Sequence, residues 1–155
     1  DVMKAGVLAR EPCSKVKVML KDCKLHEDTI HRGPAQMLPA VRDGIRDAMA
    51  DAKAAILEPI QDMLIEGPAD TMGEISRLVQ NKRGQLMNME QEGDQLSVKA
   101  ALPVAEIFGW SSDLRSATRG RGCSFIIDQR FEKLPESLMP KVIGQIRDRK
   151  GLKGE

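Results

Sequence analysis

Aromatic residues are scarce in this sequence, which has no tyrosine, one tryptophan and three phenylalanines among 155 residues. Methionine is plentiful, with nine residues, and its flexible side chain can fill core gaps that aromatic rings would otherwise occupy. The scarcity also bears on function, because RNA-recognition domains stack bases on aromatic side chains of their central strands. Alternating apolar residues predict a strand over residues 96–102 that carries no aromatic residue, which argues against that mode of RNA binding.

Cysteine is scarce as well, and its pattern indicates neither a disulfide framework nor a metal motif. The chain has three cysteines, Cys13, Cys23 and Cys123. An odd number of cysteines without a CxxC pair is typical of reduced thiols. A zinc site would have to use Cys23, His26 and His31, but this spacing fits no common zinc motif and lacks a fourth ligand nearby. A catalytic Cys–His pair would need a cleft, which a loop seldom offers. No metal or catalytic site is therefore predicted.

Further absences limit the classes of function. No run of eighteen apolar residues occurs, and residues 1–4 lack the regions of a signal peptide, so we expect a cytoplasmic location without membrane contact. No GxxxxGK[ST] motif occurs, so the chain carries no phosphate-binding loop of that type for GTP or ATP. A net charge of +1 predicts no global attraction to nucleic acid, and any polyanion binding must be local.

Hydrophobic periodicity predicts an α+β protein in two parts, and the first part covers residues 1–57. Alternating apolar residues predict a strand over Val16–Leu20, which leads into a polar loop at residues 25–36. A helix follows, with Pro39 expected in its first turn, so the loop should end near Gln36. We expect the apolar stripe of this helix to face a core; its members are Leu38, Val41, Ile45, Ala48, Met49 and Ala52.

The second part, residues 58–155, has the order strand, helix, strand, strand, helix, strand. Residues 60–65 form the first predicted strand, and Thr71 to Glu74 has the form of a capping box before the first helix. A hairpin follows, with its turn at Gly93 and Asp94; after it come a helical stripe from 107 to 117, a strand from 123 and a C-terminal helix. This βαββαβ order is ferredoxin-like. Because that fold hosts many unrelated functions, function has to be argued from sites.

The loop at residues 25–36, here called the histidine loop, contains both histidines of the chain. Gly33 can adopt a positive φ and Pro34 fixes its own φ, which predicts a stiff turn that holds side chains out toward a partner. The following helix directs unpaired N–H groups toward the loop. Together with Arg32 and two nearby lysines, Lys21 and Lys24, these groups predict a small surface that attracts anions such as phosphate.

A purely structural role for the histidines is also open. One histidine would cap the turn or pair with Glu27 or Asp28, and the other would be solvated. The residues of the loop taken alone do not separate this interpretation from a binding role.

Several longer stretches resemble the C-terminal part of the translation elongation factor 2 family in its archaeal form. They are "KLHEDTIHRGPAQMLPAVRDGI", "ILEPI", "NKRGQLMNMEQEGD", "LPVAEIFGWSSDLRSATRGRG" and the short "RDRKGL". The resemblance extends over essentially the whole chain. Residues Gly33 to Ala35 are closer to the archaeal pattern than to the Gly-Gly-Gly that is usual in eukaryotic members.

The resemblance implies a ribosomal translocase. Residues 1–57 would be the C-terminal part of domain IV, a partial βα segment like ribosomal protein S5, and residues 58–155 would be the ferredoxin-like domain V. The histidine loop would be the domain IV tip that enters the decoding centre beside tRNA and mRNA. Domain V would lie by the GTPase-associated region of the large subunit. GTP and Mg²⁺ would be held by domains outside this chain, so the chain itself would not be an enzyme.

The resemblance also assigns roles within the loop. His31 matches the histidine that the family converts to diphthamide, which would make diphthamide-synthesis enzymes partners of the protein besides the ribosome. His26 matches an unmodified histidine, and Arg32, Gly33 and Pro34 would face RNA with it. Two other hypotheses stay open at this point: a protein and RNA interaction module like that of a spliceosomal relative of this GTPase, and a metal or thiol enzyme that uses Cys23 with both histidines.

Overall fold

A computed structural model describes residues 1–152 of the chain and has an α+β architecture, as predicted. Its four α-helices are α1 Pro34–Asp51, α2 Met72–Asn81, α3 Trp110–Ala117 and α4 Met139–Arg149, and its four strands are β1 Leu57–Pro68, β2 Gln85–Glu92, β3 Gln95–Pro103 and β4 Cys123–Lys133. Among these described residues, no helix is both long enough and apolar enough to cross a membrane.

The chain forms two compact units. One comprises residues 57–133, here called the ferredoxin-like unit, and the other comprises residues 1–56 together with the residues from 134 onward. Helix α4 thus groups with the N-terminal residues, whereas the predicted domain 58–155 includes it. The predicted domain boundary itself stays a prediction, and residues 153–155 of that domain lie outside the described part of the chain.

The ferredoxin-like unit is a four-stranded antiparallel sheet with the order β2-β3-β1-β4. With α2 between β1 and β2 and α3 between β3 and β4, this confirms the predicted ferredoxin-like βαββαβ topology. The alternation of β3 places its apolar residues on one face, against both helices. The buried core comprises Met63, Ile65, Ile75, Val79, Leu96, Val98, Ala100, Leu102, Trp110 and Leu114.

The C-terminal end of α2 approaches β3 very closely at Gly84. The Gly84 N–H donates to the Val79 carbonyl at 2.8 Å. A Cβ on Gly84 would lie 2.7 Å from Val79 Cγ1 and 3.0 Å from Leu102 Cγ, so a side chain has no room here. The preceding Arg83 adopts a left-handed conformation with φ of 55°, which turns the chain out of the helix.

The predicted capping box at the start of α2 is wrong. The Thr71 hydroxyl donates to the Pro68 carbonyl at 2.7 Å, and α2 has no side-chain cap. The reason is local: residues Ala69–Thr71 form a short 3-10 turn that directs the hydroxyl backwards, toward Pro68.

The predicted strand over Val16–Leu20 is also wrong. These residues are exposed, with Leu20 82% accessible, and no strand within residues 1–152 pairs with them. Alternation of apolar residues marks a segment that could pair, but a strand forms only where a neighbouring strand completes the ladder. The βα segment predicted for the first part therefore has its helix but not its strand.

Helix α1 is confirmed, but it begins earlier than predicted and does not bury its apolar stripe. It starts at Pro34, so Pro39 lies inside the helix rather than in its first turn. No residue of α1 is buried, and Leu38 and Val41 are 69% and 52% exposed. Because this stretch is open to water, solvent can satisfy the Ala35 carbonyl that Pro39 leaves without its helical donor.

Helix α4 is attached to the N-terminal residues by its basic side chains. Arg147 donates to the Leu8 carbonyl at 3.2 Å, and Lys150 donates to the carbonyls of Ala9 and Arg10 at 3.1 and 2.8 Å. Lys150 also pairs with the Glu11 carboxylate at 2.7 Å. These contacts link segments that are about 140 residues apart in sequence, which explains why α4 belongs to the first unit.

Candidate functional site in the histidine loop

The histidine loop is an exposed segment organised around a short 3-10 helix, Thr29–Arg32. Asp28 caps this helix: its Oδ1 accepts a hydrogen bond of 3.0 Å from the Ile30 N–H. Its carbonyl accepts a second one of 3.2 Å from the His31 N–H. An aspartate preceding a tight turn commonly makes such contacts, and they give the loop a defined shape without a hydrophobic core.

His26 takes part in the same turn. Its Nδ1 lies 3.0 Å from the backbone nitrogen of Asp28 and accepts that N–H. A ring nitrogen that accepts a hydrogen bond carries no proton, so neutral His26 has its proton on Nε2. The centroids of the His26 and His31 rings lie 4.6 Å apart with an interplanar angle of 66°, an edge-to-face contact. The fold thus brings the two predicted site histidines together.

Arg32 closes the loop. Its Nε donates to the His26 carbonyl at 2.6 Å, and its Nη2 donates to the Glu27 carbonyl at 2.9 Å. The planar guanidinium therefore holds two consecutive carbonyls at the far end of the loop. Sequence reasoning missed this contact, since an arginine beside a histidine gives no signal of which backbone carbonyls it will reach.

Gly33 and Pro34 join the loop to α1. Gly33 has φ of −68° and ψ of 158°, so the positive φ open to glycine is not used. The Gly33 carbonyl instead accepts the N–H groups of Gln36 and Met37, both at 3.0 Å, which starts the helix. Pro34 occupies the first helical position, where the missing N–H costs nothing.

The other side chains proposed for a site are Cys23, Lys21 and Lys24. Cys23 is exposed, and within residues 1–152 no group of three or more His, Cys, Asp or Glu side chains could hold a metal ion. Lys21 and Lys24 are exposed on the approach to the loop. Their joint action with Arg32 on an anion stays a prediction.

The ferredoxin-like unit uses several of its charged groups internally. Arg130 donates hydrogen bonds to the buried Asp62 and, at 2.6 Å, to Glu132. The hydrogen bond to Asp62 is the main cause that raises the pKa of Arg130 above its usual value. Arg83 contacts Glu58 at 3.0 Å and Glu106 at 2.9 Å, and the Glu58 bond is the main cause of its raised pKa. These arginines stay charged and form ion pairs within the unit.

A ferredoxin-like unit and a helix-supported polar loop define an α+β protein whose fold alone does not specify a function. Comparison with known proteins does specify a family. The model described as Elongation factor G C-terminus matches residues 55–142, and the model described as Elongation factor G, domain IV matches residues 1–53. The chain therefore belongs to the translation elongation factor family that includes elongation factors G and 2.

Individual relatives agree with this assignment. Elongation factor 2 of Methanocaldococcus jannaschii is 52% identical over 155 residues, and that of Methanococcus aeolicus is 50% identical over 153 residues. The fold is also present in a crystal structure from Thermus thermophilus, which superimposes with a TM-score of 0.76 and 25% identity, over 95% of this chain and 22% of that one. The chain spans 21% of the length of these elongation factor 2 relatives, so it corresponds to about one fifth of such a factor.

Proposed function

We propose that this chain is the ribosome-binding C-terminal portion of an elongation factor that promotes GTP-dependent translocation of tRNA and mRNA. The histidine loop contacts the decoding region, and the ferredoxin-like unit lies by the GTPase-associated region of the large subunit. The observation that carries the proposal is the combination of family membership with an exposed loop that is held in shape by its own hydrogen bonds.

His31 is the residue that we propose is converted to diphthamide, by synthesis enzymes that act on the folded loop. A bare imidazole makes only one or two hydrogen bonds, and a longer charged arm would extend its reach to an RNA backbone. His26, Arg32, Gly33 and Pro34 form the rest of the RNA-facing surface. Contacts to sugars and phosphates suit a translocase, which has to act on any sequence.

GTP and Mg²⁺ belong, in this proposal, to other domains of the full-length factor. The 155-residue chain alone is then expected to bind ribosomes weakly and to hydrolyse no GTP. Activity therefore has to be measured on the full-length factor that carries these residues.

The first test is the mass of the tryptic peptide 25–32 from the full-length factor, purified from its native cells. Added mass on His31 that matches diphthamide supports the proposal. An unmodified His31 would favour the alternative function, a protein and RNA interaction module like that of a spliceosomal GTPase relative.

The second test is the rate and fidelity of translocation by the full-length His31→Ala variant. Asp47→Asn, an exposed change on α1, is the matched control and should leave both unchanged. We expect His31→Ala to slow translocation or increase frameshifting. Unaltered rate and fidelity would contradict a role of the loop in the decoding region.

A further inference from the structure

We propose that Arg32, although it lies on the RNA-facing surface, is a positioning residue for His31, and that its guanidinium acts through the loop backbone rather than as a direct ligand of RNA phosphate. This proposal rests on the proposed function only for its consequence on the ribosome. The orientation of His31 itself can be measured in the isolated chain.

The geometry of the guanidinium carries the proposal. Nε and Nη2 of Arg32 donate to two consecutive carbonyls, those of His26 and Glu27, at 2.6 and 2.9 Å. A planar fork suits this pair of acceptors, whereas the ammonium of lysine is a single point of charge on a flexible stem. Arg32 therefore fixes the peptide groups that carry the start of the loop.

The effect reaches His31 through His26. The two hydrogen bonds from Arg32 to the His26 and Glu27 carbonyls, here called the Arg32 clamp, hold the His26 backbone. The Nδ1 of His26 accepts the Asp28 N–H at 3.0 Å, and the centroids of the His26 and His31 rings lie 4.6 Å apart. Asp28 in turn caps the 3-10 helix that contains His31. Contacts that begin at Arg32 thus connect the start of the loop, at His26, with the 3-10 helix that contains His31.

A phosphate role would use Arg32 differently. Two of its five N–H groups bond to carbonyls, and a phosphate that took these donors would leave both carbonyls to be solvated again. The three other N–H groups leave a phosphate contact geometrically open. The decisive comparison is therefore with lysine, which keeps the charge but cannot bridge the two carbonyls in this way.

The first measurement is NMR of the 155-residue chain, where two histidines make the ring signals simple to assign. We compare Arg32→Lys and Arg32→Gln with Arg42→Gln, an exposed arginine of α1 that pairs with Asp43. The clamp predicts that nuclear Overhauser effects between the His26 and His31 rings disappear in both Arg32 variants and persist in Arg42→Gln. Persistence of the ring contact in Arg32→Gln would overturn the proposal.

The second measurement is the affinity of the full-length factor for ribosomes over a range of salt concentrations. A clamp predicts that both Arg32 variants lose affinity by a similar factor, up to about tenfold, with the salt dependence unchanged. A phosphate contact predicts instead that the Arg32→Lys variant retains most of the affinity for ribosomes. It also predicts that Arg32→Gln lowers the slope of log affinity against log salt concentration by about one. The second pattern would overturn the proposal.

The two measurements separate the two proposals. If His31→Ala and all Arg32 variants bind ribosomes like the unaltered factor, the proposed function of the loop fails, and NMR alone decides on the clamp. If the ring contact survives without Arg32, the clamp fails whatever the ribosome shows.

Discussion

The indole Nε1 of Trp110 donates a hydrogen bond of 2.9 Å to the Ser124 hydroxyl, which joins the first residue of α3 to β4. Trp110 is 3% exposed, so water has little access to its N–H group. A buried indole normally finds such a partner. This contact fixes α3 on the sheet, and Trp110 is also the one tryptophan of the chain, so its fluorescence reports on the ferredoxin-like unit.

Replacing Ser124 with alanine should therefore destabilise the ferredoxin-like unit by about 1 to 2 kcal/mol, because the buried indole N–H loses its acceptor. Urea unfolding followed by tryptophan fluorescence measures this change. Ser116→Ala, at an exposed position of α3, is the control and should change stability by less than about 0.5 kcal/mol. Equal midpoints for the two variants would show that the hydrogen bond contributes nothing.

Two glycines of the ferredoxin-like unit should respond to alanine in opposite directions. At Gly84 the new Cβ would lie 2.7 Å from Val79 Cγ1, so Gly84→Ala should destabilise by about 1 to 3 kcal/mol. At Gly73, within α2, such a Cβ would meet no atom within 4 Å apart from the helix's own nearby backbone, so Gly73→Ala should stabilise by about 0.5 to 1 kcal/mol. Thermal unfolding of both variants checks the signs, and destabilisation by Gly73→Ala would contradict this account.

The ferredoxin-like unit could be predicted from sequence because the apolar residues of its strands and helices pack against one another within the unit. The alternating residues of β3 meet the helical stripes of α2 and α3, and a two-residue turn at Gly93 and Asp94 sets the hairpin. Local pattern and long-range packing agree there, so periodicity predicted the fold. The capping box at Thr71 was wrong because Thr71 itself lies in a 3-10 turn, where its hydroxyl donates to the Pro68 carbonyl.

The first unit was harder to predict because its apolar residues are not buried against another segment of residues 1–152 in the way that their spacing predicts. Val16–Leu20 alternates but has no neighbouring strand, and the stripe of α1 is not buried. The histidine loop was found as a candidate site from its composition. The contacts of Arg32 were not, because side-chain hydrogen bonds to backbone carbonyls depend on geometry that spacing does not encode.

Arg83 combines a strained backbone with two ion pairs, and a pair of variants separates the two effects. Its φ of 55° disfavours any residue with a Cβ, while its guanidinium contacts Glu58 and Glu106 at 3.0 and 2.9 Å. Arg83→Ala and Arg83→Gly both lose the ion pairs, but only glycine relieves the strain. We expect the glycine variant to be more stable than the alanine variant by about 0.5 to 1 kcal/mol. A glycine variant less stable than the alanine variant in urea unfolding would show that the strain is negligible.

The last prediction concerns which part of His26 shapes the histidine loop. Its Nδ1 accepts the Asp28 N–H at 3.0 Å, and its ring contacts His31. Asparagine places an oxygen where Nδ1 lies but has no ring, and phenylalanine keeps a ring but has no acceptor.

His26→Asn should therefore keep the Asp28 amide protected from hydrogen exchange, whereas His26→Phe should speed its exchange by up to about tenfold, the loss of one exposed hydrogen bond. The exchange rates are measured by NMR of the 155-residue chain. The Gln36 amide, which donates to the Gly33 carbonyl at 3.0 Å, is the internal reference and should exchange equally in both variants. If phenylalanine keeps the Asp28 amide protected and asparagine does not, then the ring contact with His31, and not the Nδ1 acceptor, holds the turn in place.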